Sequence, residues 1–234
     1  MVSMKEDLIH GDCIEKMERL VEEENTFDLI ITDPPYGINY KTNHRKDKNH
    51  EFCSTIENDE DTEISKEALP LLYKLLEDGG AMYLFTQDSV LAETLNLVEE
   101  SGFKLKNILV WDKGNWSAGD LKGAYGKRTE FIIYAVKGRH ILNPIGDTKR
   151  HNNILEFSRV VGKKQVHQNQ KPVDLLEFLI KKSSDDGDWV FDPFMGSGST
   201  GVAASNIDRN FYGIELDEKY FEIAKERIKK GGEF

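Results

Sequence analysis

Seven short apolar runs alternate along this chain with six longer stretches whose apolar residues recur at helical spacing. That alternation is the signature of a mostly parallel sheet flanked by helices, because parallel strands need a crossover between them. The runs predict strands at Leu8–His10, Asp28–Thr32, Ala81–Thr86, Ile108–Trp111, Phe131–Val136, Trp189–Phe191 and Phe211–Ile214. The amphipathic stretches predict helices at Cys13–Glu22, Lys66–Leu76, Ser89–Glu100, Pro172–Lys182, Thr200–Ser205 and Glu218–Lys230. Asp78-Gly79-Gly80 and Ser101-Gly102 read as helix stops, and Pro172 suits a first helical position.

The second run, Phe27 to Thr32, exits into Asp33-Pro34-Pro35-Tyr36. A proline has no N–H to give a sheet ladder, so Pro34 and Pro35 must end the strand. An acid, a fixed carbonyl and an aromatic ring then share one stiff turn at the carboxyl end of a strand, where open α/β sheets hold their ligands. Such a set suits a flat substrate bearing an amino group. The plain alternative is an ordinary strand-ending turn.

A second strand ends at Asp192 in Asp192-Pro193-Phe194-Met195-Gly196-Ser197-Gly198-Ser199-Thr200-Gly201, and Glu215 closes the strand after the following helix. Glycines permit a tight turn and close approach of a ligand, and an acid at the end of the next strand suits ribose hydroxyls. The unit therefore suits an adenosine-containing ligand. A nicotinamide-binding domain is a competing reading, but Asp192 stands where a pyrophosphate would be repelled.

The length of 234 residues allows one large domain, residues 1–234, with a substantial core. No apolar run is long enough for a membrane span, and the first twenty residues carry charges throughout. Cys13 and Cys53 are the only cysteines and form no Cys-x-x-Cys pair, so neither a disulfide framework nor a structural zinc site is expected. His44 and His50 read as loop residues, and no metal is expected. These features place the chain in the cytoplasm. The net charge of −11 disfavours nucleic acid at first sight. Its distribution does not: residues 101–172 hold fourteen Lys and Arg against five Asp and Glu, and residues 41–50 hold four against one. Two polar stretches without periodicity, Gly37–Thr62 and Lys137–Gln170, contain much of this basic charge, and loops of such length are usually functional or disordered. Candidate phosphate contacts are Lys41, Arg45, Lys46, Lys122, Lys127, Arg128, Arg139, Lys149, Arg150, Lys163 and Lys164. Solvation of loops explains the same residues equally well.

Together the motifs resemble the amino-group DNA methyltransferases that use S-adenosylmethionine. Thr32-Asp33-Pro34-Pro35-Tyr36 is similar to that family's catalytic motif, and Asp192 to Thr200 to its cofactor motif. The catalytic motif comes first, which is the beta-class order. His167-Gln168-Asn169-Gln170-Lys171-Pro172 resembles the stretch before the cofactor motif, usually His-Pro-Thr-Gln-Lys-Pro, with Gln168 and Asn169 as departures. Gly11-Asp12-Cys13 resembles the adenine-edge contact.

The resemblance implies a Rossmann-like methyltransferase fold: seven strands, mostly parallel with one antiparallel, in circularly permuted motif order. It implies methyl transfer from S-adenosylmethionine to the N6 amine of adenine in double-stranded DNA, since an Asp rather than a Ser opens the catalytic motif. Cytosine N4 is the alternative; an RNA substrate is further off, and a carbon-5 cytosine enzyme is disfavoured because neither cysteine follows a proline. In this reading Asp33, Pro34, Pro35 and Tyr36 are catalytic. Asp12, Cys13, Asp33, His167, Lys171, Asp192, Phe194, Gly196, Gly198, Ser199, Thr200 and Glu215 bind the cofactor, with Glu215 on the ribose. Asp12 is equally well a helix N-cap, and Lys171 is either solvated or on the methionine carboxylate. The stretches 37–62 and 137–170 are candidate DNA-recognition insertions. A homodimer and a cognate restriction endonuclease are family-level expectations that no residue here carries.

Overall fold

The computed structural model describes residues 5–35, 63–116, 122–123, 125–147, 150–160 and 170–231. Among the described residues, eight strands form one sheet. They are β1 (Glu6–His10), β2 (Phe27–Thr32), β3 (Leu76–Thr86), β4 (Lys104–Asp112), β5 (Thr129–Val136), β6 (Ile154–Glu156), β7 (Trp189–Asp192) and β8 (Asn210–Glu215). Their order across the sheet is β1-β8-β7-β2-β3-β5-β4-β6. Only β5 runs against its neighbours, pairing antiparallel with β3 and with β4. The expectation of a mostly parallel sheet with one antiparallel strand is met, but the count of seven is corrected to eight. The added strand β6 has three residues and pairs with Val110–Asp112 of β4. Three residues are too few to show a period of two, so only the tertiary partner reveals this strand.

The helices are α1 (Cys13–Glu22), α2 (Glu63–Leu75), α3 (Leu91–Glu100), α4 (Val173–Ser183), α5 (Ser199–Asn206) and α6 (Glu218–Lys229). Asp12 caps α1 by accepting from the Glu15 N–H at 3.0 Å, and Asp217 caps α6 by accepting from the Tyr220 N–H at 3.0 Å. Alternate strand residues feed two separate cores. Ile30, Met82, Leu84, Ile133 and Phe191 pack under α1, α2 and α3 with Met17, Leu72 and Val98. Leu29, Ile31, Tyr83, Phe85 and Ile132 pack under α4, α5 and α6 with Leu176, Val202 and Ile228. Strands buried on both faces explain why β2 reads as a continuous apolar run rather than an alternating one.

This architecture brings particular ends together. β2 and β7 are adjacent and parallel, so Asp33, just past β2, and Asp192, the last residue of β7, emerge on the same edge. β5 is reversed, so its beginning reaches that edge too: Phe131 pairs with Thr86 at the end of β3, and Glu130 with Trp111 near the end of β4. Its end, Val136, pairs with Ala81 and Lys104 at the opposite edge.

Candidate active site

Asp33 follows the buried Thr32, and Pro34 behind it is buried as well. Its Oδ2 accepts from Lys171 Nζ at 2.5 Å. The same ammonium donates to Glu130 Oε1 at 2.8 Å, and Glu130 Oε2 meets Lys113 Nζ at 2.7 Å. Lys171 Nζ also lies over the Phe85 ring, 4.9 Å from its centroid. The side chains of Asp33, Lys171 and Glu130 are 19%, 11% and 11% exposed. This is a largely buried chain of alternating charges drawn from four segments of sequence. Burial pushes the Asp33 carboxyl above its ordinary value and Glu130 adds to the push, whereas Lys171 and Lys113 oppose it. Burial disfavours the Lys171 ammonium, but Asp33 and Glu130 outweigh that and hold its proton more tightly than usual. Burial acts against the Glu130 carboxylate, yet Lys171 and Lys113 keep it below the usual range.

One strand away, Asp192 is held by neutral groups. Its Oδ1 accepts from the Phe194 N–H at 3.1 Å and its Oδ2 from the Thr200 hydroxyl at 2.6 Å. Burial pushes its carboxyl up to about 7, against the pull of the Thr200 and Phe194 bonds, and the nearby Asp33 adds to the rise.

The turn after Asp192 is built on Gly196 (φ +53°) and Gly198 (φ +79°). A Cβ at Gly198 would stand 2.8 Å from the Ala224 Cβ of α6, so both backbone angle and space demand glycine there. Glu215, at the end of β8, accepts from the Gly196 N–H at 2.8 Å and the Asp217 N–H at 2.9 Å. Burial raises its carboxyl, and those backbone bonds oppose the rise. Gly11 N–H donates to the Glu215 carbonyl at 2.9 Å, which sets Gly11-Asp12-Cys13 beside the acid. The glycine turn, Glu215 and the start of α1 thus lie side by side across the ends of β7, β8 and β1. Two N–H donors leave further lone pairs on a carboxylate, so Glu215 retains capacity for ribose hydroxyls. An acid beside a glycine turn at the strand ends suits an adenosine-bearing ligand.

The structure also sorts the sequence-derived candidates. Asp12 is an N-cap, and Cys13 is buried, its thiol pushed up to about 12 by burial first and then by Asp12, so it is a wall rather than a nucleophile. Ser199 and Thr200 are buried. The Thr200 hydroxyl bonds Asp192, and Ser199 Oγ accepts from Arg227 Nη1 at 3.3 Å, so both order the turn from beneath. Of the two readings of Lys171, solvated or on the methionine carboxylate, the first is set aside: its ammonium is largely buried and pairs with Asp33 and Glu130. Lys127 pairs with Asp88 at 2.7 Å, and Arg128 bonds Asp112 through two nitrogens at 2.5 and 2.7 Å. Lys122 and Arg150 are exposed.

Arg139 is exposed too, but it follows β5 and lies at the opposite edge from Asp33. The His140 ring bonds the Gly79 carbonyl at 2.7 Å there. The early part of the 137–170 stretch therefore faces away from the site because β5 is reversed, whereas Glu156, the last residue of β6, pairs with Asp112 at the end of β4 on the catalytic edge. Tyr36, Lys41, Arg45, Lys46, Lys149, Lys163, Lys164, His167 and the 37–62 stretch lie outside the described residues.

Three residues of the site were not anticipated. Glu130 and Lys113 complete the charge chain. Arg227, buried on α6, donates through Nη1 to the Ser197 carbonyl at 2.6 Å and the Ser197 hydroxyl at 2.8 Å, pinning the glycine turn. Burial lowers its guanidinium to about 10. The available signal was an arginine on the apolar face between Ala224 and Ile228.

Residues 27–226, spanning both motif turns, match the family of DNA methylases that groups N6 and N4 enzymes. The chain belongs to that family. The methylase is 28% identical over 238 residues to the Type II methyltransferase M2.MboI of Moraxella bovis, covering 94% of this chain and 86% of that one. It is 30% identical over 247 residues to M.HpaI of Haemophilus parainfluenzae, covering 96% and 74%. The crystal structure of an M1.HpyAVI–SAM complex superposes with a TM-score of 0.77 at 28% identity, over 95% of this chain and 98% of that one. The cytosine-N4-specific PvuII methyltransferase shares the fold, with a TM-score of 0.75 at 17% identity, over 98% and 92%. Among the described residues, no helix is long and apolar enough to cross a membrane.

Proposed function

We propose that the methylase moves a methyl group from S-adenosylmethionine to the N6 amine of adenine in DNA. S-adenosylmethionine is the cofactor, and it supplies an electrophilic methyl group on a sulfonium. Glu215 takes the ribose hydroxyls, Asp12 and the backbone at Cys13 the adenine edge, and Phe194, Gly196 and Gly198 line the methionine half. Asp192, Ser199 and Thr200 shape the turn from below.

The observation that carries the reading is the position of Asp33 on the same sheet edge as the glycine turn, one strand over. An exocyclic amine is a weak nucleophile because its lone pair is delocalised into the ring. Asp33 and the Pro34 carbonyl accept hydrogen bonds from its two N–H groups and pull the nitrogen towards tetrahedral geometry, which frees the lone pair. As the N–C bond forms the S–C bond breaks, the thioether S-adenosylhomocysteine leaves, and the methylated nitrogen releases one proton to water. Asp33 also stabilises the positive charge that grows on nitrogen, a preorganised electrostatic effect. Pro35 stiffens the turn, and Tyr36 stacks on the base. The amine is inaccessible within a duplex, so the base must flip out, at a cost of about a few kcal/mol. The stretch 37–62 and the part of 137–170 after β6 supply DNA contacts, together with Lys122.

The test is Asp33→Ala. Methyl transfer to unmethylated genomic DNA falls below detection, while S-adenosylmethionine binding by calorimetry persists. Nucleoside mass spectrometry of the wild-type product shows N6-methyladenine. Activity retained in the variant would overturn the role of Asp33, and N4-methylcytosine would overturn the choice of base.

A further inference from the structure

The salt-bridge chain behind Asp33 goes beyond what methyl transfer by Asp33 and Pro34 requires. We propose that Lys171 is a positioning residue for the reaction: its ammonium occupies one carboxylate oxygen of Asp33 and keeps that group charged and oriented towards the amine, while Glu130 and Lys113 fix the ammonium. The proposal rests on the reading of Asp33 as the amine's acceptor.

The geometry supplies the argument. Lys171 precedes α4, which begins after the Pro172 N-cap, so its backbone is anchored by a rigid element. Its ammonium is shared between Asp33 at 2.5 Å and Glu130 at 2.8 Å and covered by the Phe85 ring. Glu130 is tied in turn to Lys113 at 2.7 Å. The groups facing Asp33 are therefore Lys171 before α4, Glu130 on β5, Lys113 after β4 and Asp192 on β7. Two of these four are acids. Without Lys171, a largely buried Asp33 would stand beside Glu130, with Lys113 the remaining cation of these four and itself paired to Glu130, and burial and like charge would favour a protonated carboxyl. A protonated carboxyl donates from one oxygen, so it is a poorer acceptor for an amine N–H. A buried cation shared by two carboxylates also fixes the plane of the Asp33 group, which matters because small misplacements cost rate.

A lysine that instead binds the methionine carboxylate would act through cofactor affinity, and the two roles separate experimentally. Lys171→Met, Lys171→Arg and Glu130→Gln are assayed with tritiated S-adenosylmethionine and unmethylated genomic DNA, from about pH 5.5 to about pH 9. Lys171→Met lowers kcat at neutral pH about a hundredfold and moves the acid limb of the kcat profile upward by about one unit or more. Its Kd for S-adenosylmethionine stays within about threefold of the wild type, a free-energy change below that of one charged hydrogen bond. Glu130→Gln removes a negative neighbour and moves the limb downward. Lys171→Arg restores the wild-type limb.

A Lys171→Met enzyme with an unmoved limb overturns the proposal, as does one whose loss lies in cofactor affinity. Should Lys171→Met not fold, an unmoved limb in Glu130→Gln overturns it equally. An active Asp33→Ala takes down the Asp33 reading itself. An inactive Asp33→Ala beside an unmoved Lys171→Met limb takes down the lysine alone.

Discussion

Asp33 and Asp192 are two aspartates with similar local settings and different partners. Each closes a parallel strand, each precedes a proline, and their strands are neighbours. Asp33 is held by a lysine ammonium, Asp192 by a hydroxyl and an amide. Burial raises both. At Asp33 a buried cation opposes the rise; at Asp192 only hydrogen bonds do. The lesson is that a strand-ending Asp-Pro pair sets position, and distant partners set chemistry. The turns differ in the same way: Pro34 and Pro35 stiffen one by restricting φ, whereas Gly196 and Gly198 open the other to positive φ.

The contrast is sharpest when both acids become amides. Asp33→Asn lowers kcat about a hundredfold, the scale of losing one preorganised charge at a reacting centre. Asp192→Asn keeps an acceptor for the Phe194 N–H and stays within about threefold of wild type, since only neutral bonds are exchanged. Equal losses would erase the distinction. Next in size is Gly198→Ala, which combines positive φ with the Ala224 clash and costs about 1–3 kcal/mol in urea unfolding. An undiminished midpoint would show that the turn tolerates a side chain.

A smaller effect reports on Asp192 itself. Its folded carboxyl is raised to about 7, so between its unfolded value and about 7 the native state keeps a proton the unfolded chain has released. That contribution to stability is present at low pH and is lost as pH rises towards 7. Asp192→Asn, permanently neutral, therefore raises the thermal midpoint at pH 8 by about 2–4 °C, the scale of roughly 1 kcal/mol for a chain of this size, with less than half that rise at pH 5. Equal shifts at both values would place the effect elsewhere. The smallest change is Pro35→Ala, which loosens the unfolded chain and costs about 0.4–1 kcal/mol, less than Gly198→Ala; the reverse ranking would show that the glycine turn is the softer of the two.

What the sequence disclosed followed how local each signal was. β2 and β7 were legible because a strand buried on both faces is an apolar run ended by a proline. α1 and α6 were legible because their apolar residues recur at helical spacing, and at α1 Asp12 also marks the start. β6 was not, since three residues acquire strand character only by pairing with β4. In the same way Asp33 announced itself through the prolines beside it, but its partners Lys171 and Glu130 stand 138 and 97 positions away, and only the sheet order makes them neighbours. Arg227 looked like one more charge on a packing helix because nothing local marks a guanidinium that reaches another turn.

The reversed strand β5 has a consequence for how this edge can change. Parallel strands offer the edge only the residues with which they finish, and the chain must then leave through a crossover. β5 offers it residues with which a strand begins, and the hairpin entering β5 from β4 is carried on that edge. Sequence lengthened or replaced between Lys113 and Glu130 would alter what stands beside Asp33 without disturbing any crossover helix. The edge can thus diversify there while the glycine turn, three strands away, keeps its geometry.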